Sequence, residues 1–216
     1  MDKLRMRFSK TGRAVYISHL DLMHTIQRAF SRAGYKVKYS EGFNPHPVIS
    51  IALPLSVGMS SICEIMDFRL EGECDFSETP AKLNAALPEG IEVFEIYEAE
   101  EKPAALKWLK VEGVFRYNDA PELDRIRNFF SQDQIVISKK TKRGVSDTDI
   151  VPGIREISFD SSGNDITVHA VVSAQEPTLN PELLAEALRQ LAPELAPVFS
   201  SFRRTEVYND SMKVFR

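Results

Sequence analysis

The stretch SHLDLMHTIQRAFSRAG, residues 18–34, contains the clearest helix in the sequence. Its apolar residues recur at intervals of three and four, which places them on one face of an α-helix. Ser18 is a favourable N-cap residue with the acidic Asp21 in the first turn, and Gly34 suits the end of a helix. The pattern therefore predicts a helix that packs against a core through Leu22, Met23, Ile26, Ala29, Phe30 and Ala33.

Strand patterns on either side of this helix complete a β-α-β-β-α-β order. Apolar and polar residues alternate over residues 4–9, which predicts a half-buried strand, and Thr11-Gly12 turns the chain into an apolar run. Residues 48–53 and 62–70 predict a β-hairpin, residues 79–87 a short helix and residues 91–97 a strand. This order is typical of a ferredoxin-like domain, in which both helices lie on one face of an antiparallel sheet.

A similar order follows an acidic linker at residues 98–103. The patterns predict strands at 109–117, 135–140, 154–159, 165–173 and 205–208, with helices at 121–130 and 181–191. A chain of 216 residues is long enough for two domains of about 100 residues each. We therefore predict an α+β protein made of two tandem ferredoxin-like domains with antiparallel sheets, one at residues 1–102 and the other at residues 103–216.

Composition excludes several classes of protein. An apolar share of 43% with 27% charged residues is ordinary for a globular chain, so extended disorder is excluded. The most apolar run, residues 48–55, is far shorter than the roughly 20 residues that a membrane helix needs. The first residues alternate charged with apolar side chains, unlike a signal peptide, and only two cysteines occur. We expect a cytoplasmic protein with no membrane partner.

Charge is unevenly distributed along the chain, although the net charge is only −4. Residues 1–40 contain nine Lys and Arg against two acids, whereas residues 41–102 contain three against thirteen. Locally dense basic residues attract phosphate even on a protein whose net charge is negative. The net negative charge therefore does not exclude a nucleic-acid partner that binds the basic segment.

Two sets of basic residues are candidates for RNA or phosphate binding. Arg28 and Arg32 lie four residues apart and so share a helix face with Asp21. The planar guanidinium group suits a phosphodiester backbone, to which Lys36 and Lys38 would add charge. The second set, at a strand end, is Lys139, Lys140, Lys142 and Arg143. The alternative for both sets is an ordinary solvated surface.

The segment between the helix and the next strand, residues 35–47, is predicted to be a stiff loop that binds a ligand. Pro45 and Pro47 restrict the residues before them to extended conformations, and Gly42 permits a backbone geometry that other residues resist. Long ordered loops often carry function. The candidate ligand residues are Ser18, Tyr39, Ser40, Gly42, Phe43 and Asn44. Alternatively, Phe43 is a plug that anchors the loop to the core.

A catalytic interpretation uses His19, Asp21, His46 and Glu64 around a small ligand, with or without a metal ion. Histidine and carboxylate side chains suit zinc, iron or manganese, but no recognised metal-ligand spacing is present. Ser18, His19 and Asp21 lie within one helical turn, so they cannot line up as a hydrolase triad. No Walker loop or dinucleotide fingerprint occurs. We expect no metal and no cofactor, and whether the protein is an enzyme stays open.

Four blocks together resemble a known family. They are Ser-His-Leu-Asp-Leu-Met at 18–23, residues 28–33, Tyr-Ser-Glu-Gly-Phe-Asn-Pro-His-Pro at 39–47 and Pro-Leu-Ser-Val-Gly at 54–58. The chain closely resembles the radical-SAM-linked proteins, a bacterial family of unknown function encoded beside, or fused to, radical S-adenosylmethionine enzymes. Weaker matches occur at 149–152 and 204–205, with Val151 where a basic residue is expected.

The resemblance implies a radical-SAM protein as partner. Combined with the basic residues, it gives a first hypothesis of an accessory RNA-binding module in RNA modification or processing. The second hypothesis is a small-ligand or metal-assisted enzyme, and the third is a protein-interaction scaffold.

Overall fold

A computed structural model describes residues 3–141 and 144–216 of the chain. The chain forms two compact units. The first extends to Ala105 and also includes Phe215–Arg216, and the second is Leu106–Val214. Every strand pair described in either unit is antiparallel, so the predicted α+β class with antiparallel sheets is confirmed.

In its described residues, the first unit consists of a four-stranded sheet, a two-stranded ribbon and two helices. Its strands are β1 (Leu4–Lys10), β2 (Lys36–Val37), β3 (Ile49–Ile51), β4 (Ser60–Phe68), β5 (Leu70–Glu71) and β6 (Ile91–Glu98). Its helices are α1 (His19–Arg32) and α2 (Thr79–Asn84), with a 3₁₀-helix at Gly12–Tyr16. The sheet order is β3-β4-β1-β6, and β2 pairs with β5.

The helix α1 forms as its sequence predicts. The Ser18 hydroxyl accepts a hydrogen bond from the Asp21 N–H at 3.2 Å and donates one to the Asp21 carboxylate at 2.7 Å. Gly34, with φ of +86°, takes the left-handed conformation that ends many helices. The inner face of α1 buries Ile26 and Phe30 against the sheet, where the Phe30 ring lies 4.9 Å from that of Phe68.

The other face of this sheet buries an ion pair. Arg5 is completely buried, and its Nε and Nη2 donate to the two carboxylate oxygens of Asp67 at 2.6 and 3.1 Å. The guanidinium group also lies 4.4 Å from the ring of Phe215, and Lys3 contacts Asp67 from the solvent side. The alternation of residues 4–9 alone predicts that Arg5 is exposed. It does not show that Asp67 lies opposite Arg5 or that Phe215 covers the pair.

Tyr97 of β6 lies opposite Arg5, and only 8% of it is exposed. Burial raises the pKa of Tyr97 to about 12, with the Arg5 charge opposing the rise. The folded state therefore favours the neutral phenol. Its contribution to stability is complete below the ordinary pKa of 10 and is lost as pH rises from 10 to about 12.

Between pH 9 and pH 12, we therefore expect the free energy of unfolding to fall by about 2–3 kcal/mol more in the parent than in Tyr97→Phe. The difference arises because folding raises the pKa of Tyr97 from 10 to about 12. Urea unfolding at both pH values measures the difference. Tyr16→Phe is the matched control, because the Tyr16 side chain is exposed. Equal losses in the parent and in Tyr97→Phe would contradict the assignment.

The described part of the second unit has a four-stranded sheet, two helices and an extra hairpin. Its strands are β7 (Leu106–Arg116), β8 (Val136–Thr141), β9 (Gly144–Asp149), β10 (Ile154–Ser162), β11 (Asp165–Ser173) and β12 (Phe199–Asn209), and its helices are α3 (Leu123–Phe130) and α4 (Glu182–Leu191). The sheet order within the unit is β10-β11-β7-β12. Position 113 of β7 requires glycine, because the ring of Phe202 occupies the space that a Cβ atom would fill.

The strands β8 and β9 form a separate hairpin that is attached to α4. The Ser138 N–H donates to the Gln190 side-chain oxygen at 2.9 Å, and the Gln190 amide donates back to the Ser138 carbonyl at 3.0 Å. The hairpin is thus an insertion between α3 and the strands of the main sheet.

Candidate nucleic-acid interface

The outer face of α1 borders a shallow groove in the first unit. The groove has a volume of about 460 Å³, and its lining includes Gln27, Ser31, Tyr35, Lys36, Tyr39 and Glu71. A second hollow of about 240 Å³ lies along α1 between His24, Gln27, Arg28 and Ser31. Because Gln27 and Ser31 line both, the two hollows form one surface, which we call the α1 groove.

The groove joins the helix to the segment that follows it. The Gln27 side-chain amide donates a hydrogen bond to the Tyr39 hydroxyl at 3.1 Å, which ties the chain just after β2 to the middle of α1. Arg28 enters the groove from the helix, and Lys36 enters it from β2. Two of the predicted phosphate-binding residues therefore lie on one continuous surface.

The ribbon of β2 and β5 extends this surface. Val37 is buried opposite the buried Leu70, so alternation places their neighbours on the outer face of the ribbon. Lys36 faces Glu71 there, and the Lys38 N–H donates to the Arg69 carbonyl at 2.8 Å. The ribbon thus carries three exposed cations, Lys36, Lys38 and Arg69, beside one acid, Glu71.

Arg32 has a different environment from the one its helical spacing predicts. Its Nη2 donates to the carbonyl oxygen of Ala86 at 2.6 Å, just beyond the end of α2. A cation at the C-terminal end of a helix is favourable, because the last carbonyl groups carry partial negative charge. Arg32 therefore links the two helices, and its role toward phosphate stays a prediction.

Residues 39–47 form a closed arm. Tyr39 and Pro47 make an isolated β-bridge, and the Ser40 N–H donates to the His46 carbonyl at 2.8 Å. The Ser40 hydroxyl accepts from the His46 N–H at 3.1 Å and lies 2.9 Å from the His46 Nδ1. Phe43, in the turn of the arm, is fully exposed. The alternative of an inward-facing plug is therefore wrong for Phe43.

Gly42 and Asn44 flank Phe43 and are also exposed. Gly42 adopts φ of +120°, a conformation that L side chains rarely take, so it allows the tight turn. The carbonyl of Asn44 lies 3.4 Å from the His46 Nδ1. The predicted ligand residues of the loop thus belong to one structured arm, while Ser18 is engaged in capping α1.

The four catalytic candidates differ in burial and in the partners that the structure describes for them. Asp21 is bonded to Ser18 and His46 to the arm, whereas Glu64 is buried in β4 with 1% of its surface exposed. The imidazole Nδ1 of His19 is buried and has no hydrogen-bond partner among the described residues. Within residues 3–141 and 144–216, no three His, Cys, Asp or Glu side chains are grouped as metal ligands would be.

Glu64 lies near a buried lysine that sequence reasoning did not single out. The ammonium group of Lys10 donates to the carbonyl of Ile17 at 2.9 Å and to that of Val15 at 3.3 Å. Burial lowers the pKa of Lys10, and the charge of Glu64 opposes that effect. Because Val15 and Ile17 come directly before α1, the buried lysine holds the start of the helix that carries the groove.

The second predicted basic set belongs to the β8–β9 hairpin. Lys139 is partly exposed opposite Ser146, and the Lys140 backbone pairs with Val145. Lys142 and Arg143 lie outside the described residues. The part of this set that the structure describes is therefore on an inserted hairpin of the second unit.

No curated protein matches the chain. A chain in the crystal structure of a Cbf5-Nop10-Gar1 complex aligns with 94% of this chain and 48% of its own length, at 14% identity and a TM-score of 0.52. A chain in the crystal structure of the archaeal box H/ACA sRNP Nop10-Cbf5 complex aligns with 93% of this chain and 46% of its own length, at 13% identity and a TM-score of 0.47. The chain spans about half the length of these relatives, and the first likeness shows the fold alone.

None of the helices in the described part of the chain is both long and apolar enough to cross a membrane. The model of one protein family, DUF2344, matches residues 3–181, which include α1, the arm and the β2–β5 ribbon. That match covers far more than half of the 216 residues. The chain therefore belongs to the DUF2344 family, an uncharacterized protein family conserved in bacteria.

Proposed function

We propose that this protein is an accessory RNA-binding module that acts with a radical-SAM enzyme in RNA modification or processing. The observation that carries the RNA part is that Arg28 and Lys36 line the α1 groove, with the exposed Lys38 and Arg69 paired through the backbone on the adjoining ribbon. The likeness to a Cbf5-Nop10-Gar1 structure supplies a fold and nothing more, so the proposal depends on this surface.

The chemistry of the groove suits a phosphodiester backbone. Arginine offers a planar fork of donors and lysine a compact charge, both of which bind phosphate oxygens. The Gln27 amide has a second N–H beside the one that it donates to Tyr39, which adds a neutral donor to the lining. Glu71 lies in the same groove and Glu41 on the arm, so the exposed cations outnumber the acids at this surface.

We also propose that each unit is a ferredoxin-like domain; the boundary predicted from the sequence, between residues 102 and 103, lies three residues before the end of the first unit's main segment at Ala105. If the strands of each main sheet are numbered in chain order, both sheets have the order 2-3-1-4. In each unit one helix connects strand 1 to strand 2 and another connects strand 3 to strand 4. Sheets of this kind, and the grooves beside them, can bind RNA, which is an argument from fold analogy.

The radical-SAM partner and the cytoplasmic location are part of the proposal. The partner depends on the resemblance of the four sequence blocks. Both cysteines, Cys63 and Cys74, are free, which suits a reducing compartment. In this scheme the chain binds and orients RNA through its own residues, and the partner supplies the radical chemistry.

A protein-interaction scaffold is the second candidate, and one surface feature favours it. Tyr16, Leu20 and Val57 expose 74%, 67% and 60% of their surfaces. The Gly58 N–H donates to the Val15 carbonyl at 2.9 Å, which brings the backbone next to Val57 close to that next to Tyr16, and Leu20 follows Tyr16 by four positions. Retention of a radical-SAM protein by the parent, but not by Leu20→Glu, with no RNA bound, would favour the scaffold over the RNA-binding module.

Replacement of both Arg28 and Lys36 by alanine is expected to weaken RNA binding at every sequence. For a single strand, the logarithm of affinity against that of salt changes by about 0.7 per phosphate contact, so two lost contacts reduce the slope by about 1.4. Fluorescence anisotropy with a labelled RNA between about 50 and 200 mM salt measures this slope.

The matched control removes the same charge elsewhere, as Lys102→Ala with Lys213→Ala, since both lysines are exposed and lie outside the groove. We expect the control to change affinity and slope less than the groove variant. RNA binding that responds neither to salt nor to the groove substitutions would exclude the proposed interface.

A further inference from the structure

We propose that Phe43 is a platform on which an unpaired base stacks, so that the RNA ligand is a single-stranded segment or loop and not a plain duplex. The inference rests on the proposed function and specifies its ligand. Its basis is a fully exposed aromatic ring on a closed arm next to the cationic surface.

The exposure of Phe43 is built into the arm. The ring is completely accessible, although burial of apolar surface is favourable. Hydrogen bonds between Ser40 and His46 close the arm below the turn, and Pro45 limits the backbone conformations of the turn. The arm therefore presents the ring to solvent in a defined position, as recognition of a base requires.

A second aromatic ring lies at the base of the arm. Tyr39 exposes 47% of its surface, and Gln27 holds its hydroxyl. Tyr39 and Phe43 are four positions apart in the sequence, so their Cα atoms are at most about 14 Å apart. At 3.4 Å per nucleotide of a stacked strand, this distance corresponds to about four nucleotides. One short strand can thus reach both rings.

The charges near the arm favour RNA over a membrane or an apolar protein surface. Lys38 lies directly before Tyr39, and the Lys38 backbone pairs with that of Arg69. Glu41 is the acidic residue of the arm. Aromatic rings that stack bases, combined with cations that follow the backbone, are typical of proteins that bind single strands. A duplex hides the faces of its bases, so a stacking ring selects unpaired nucleotides.

The test compares a labelled single-stranded RNA with a duplex of the same length, in binding to the full chain. We expect the parent to prefer the single strand. We expect Phe43→Ala to weaken single-strand binding by about 5- to 150-fold, the range for loss of one stacked base, and to leave duplex binding unchanged. Phe43→Leu should behave like Phe43→Ala because leucine has no aromatic face, whereas Phe43→Trp should retain binding.

Phe94→Ala is the matched control, because Phe94 is an exposed phenylalanine on β6 of the same unit. Thermal unfolding of each variant shows that it is folded. If the parent binds no RNA, the proposed function and this inference both fail. If RNA binding depends on salt and on Arg28 and Lys36 but not on Phe43, or if Phe43→Leu keeps full affinity, only the stacking inference is overturned.

Discussion

Asp67→Asn is expected to lower the free energy of unfolding by about 3–5 kcal/mol, the cost of breaking a buried ion pair by removing one partner. The substitution leaves the Arg5 guanidinium completely buried without the carboxylate that receives two of its hydrogen bonds. The shape of the side chain is nearly unchanged, so the loss comes from charge and not from a cavity. Urea unfolding followed by circular dichroism measures it.

Two comparisons make this result specific. The double variant Arg5→Met with Asp67→Leu should recover most of the loss, because a well-packed apolar pair often replaces a buried ion pair at little cost. Glu95→Gln should cost less than about 1 kcal/mol, since Glu95 pairs with Arg216 at a partly exposed site. If Asp67→Asn lowers the free energy of unfolding no more than Glu95→Gln does, the Arg5–Asp67 pair does not stabilise the sheet.

The fold could be predicted where side-chain periodicity is strong. The helix α1 follows from the apolar spacing of residues 22–33 and from its caps at Ser18 and Gly34, and the antiparallel strands follow from alternation. Periodicity does not reveal the ribbon β2–β5, because two residues per strand give no periodic signal. It does not reveal the strand β9, sequence GVSDTD, because its residues are almost all polar and it is held by pairing with β8.

The candidate site could be predicted only in part, for a related reason. Arg28 follows from helical spacing, because spacing fixes the face of a helix on which a residue lies. Arg69 does not, because it lies in the acidic segment 41–102 and comes next to Lys38 only through strand pairing. Arg32 has the same spacing as Arg28, yet the position of α2 gives it a carbonyl partner. Long-range neighbours of this kind leave no local pattern.

The buried charges show the same limit. Lys10 and Glu64 are 54 positions apart in sequence, and neither has a local pattern that indicates burial. The register between β1 and β4 brings them to the same end of the sheet, below the start of α1. The sequence makes Glu64 a catalytic candidate, whereas this position gives it a structural partner, and the two interpretations predict different results for its replacement.

A structural role predicts that Lys10 and Glu64 are energetically coupled. We expect Lys10→Met to lower the free energy of unfolding by about 3 kcal/mol, because two carbonyls before α1 lose their donor and the Glu64 carboxylate loses a nearby cation. In a double-mutant cycle with Glu64→Gln, the coupling energy should be about 1–3 kcal/mol, within the range for residues that share one network of charges. The exposed pair Lys82 and Glu78, 2.7 Å apart, is the matched control, and we expect about 0.3–0.5 kcal/mol there.

The pH dependence gives an independent measure of the same pair. Because burial already lowers the pKa of Lys10 and Glu64 opposes that effect, Glu64→Gln should lower the pKa further. Lys10 then binds its proton more strongly in the unfolded chain than in the folded protein. The free energy of unfolding of Glu64→Gln should therefore rise more steeply than that of the parent as the pH increases toward 10.5, the ordinary pKa of lysine. Unfolding free energies at pH 7 and pH 10 test this. Equal pH dependence, together with coupling no larger than that of the surface pair, would mean that Glu64 acts independently of Lys10 and would return it to the catalytic candidates.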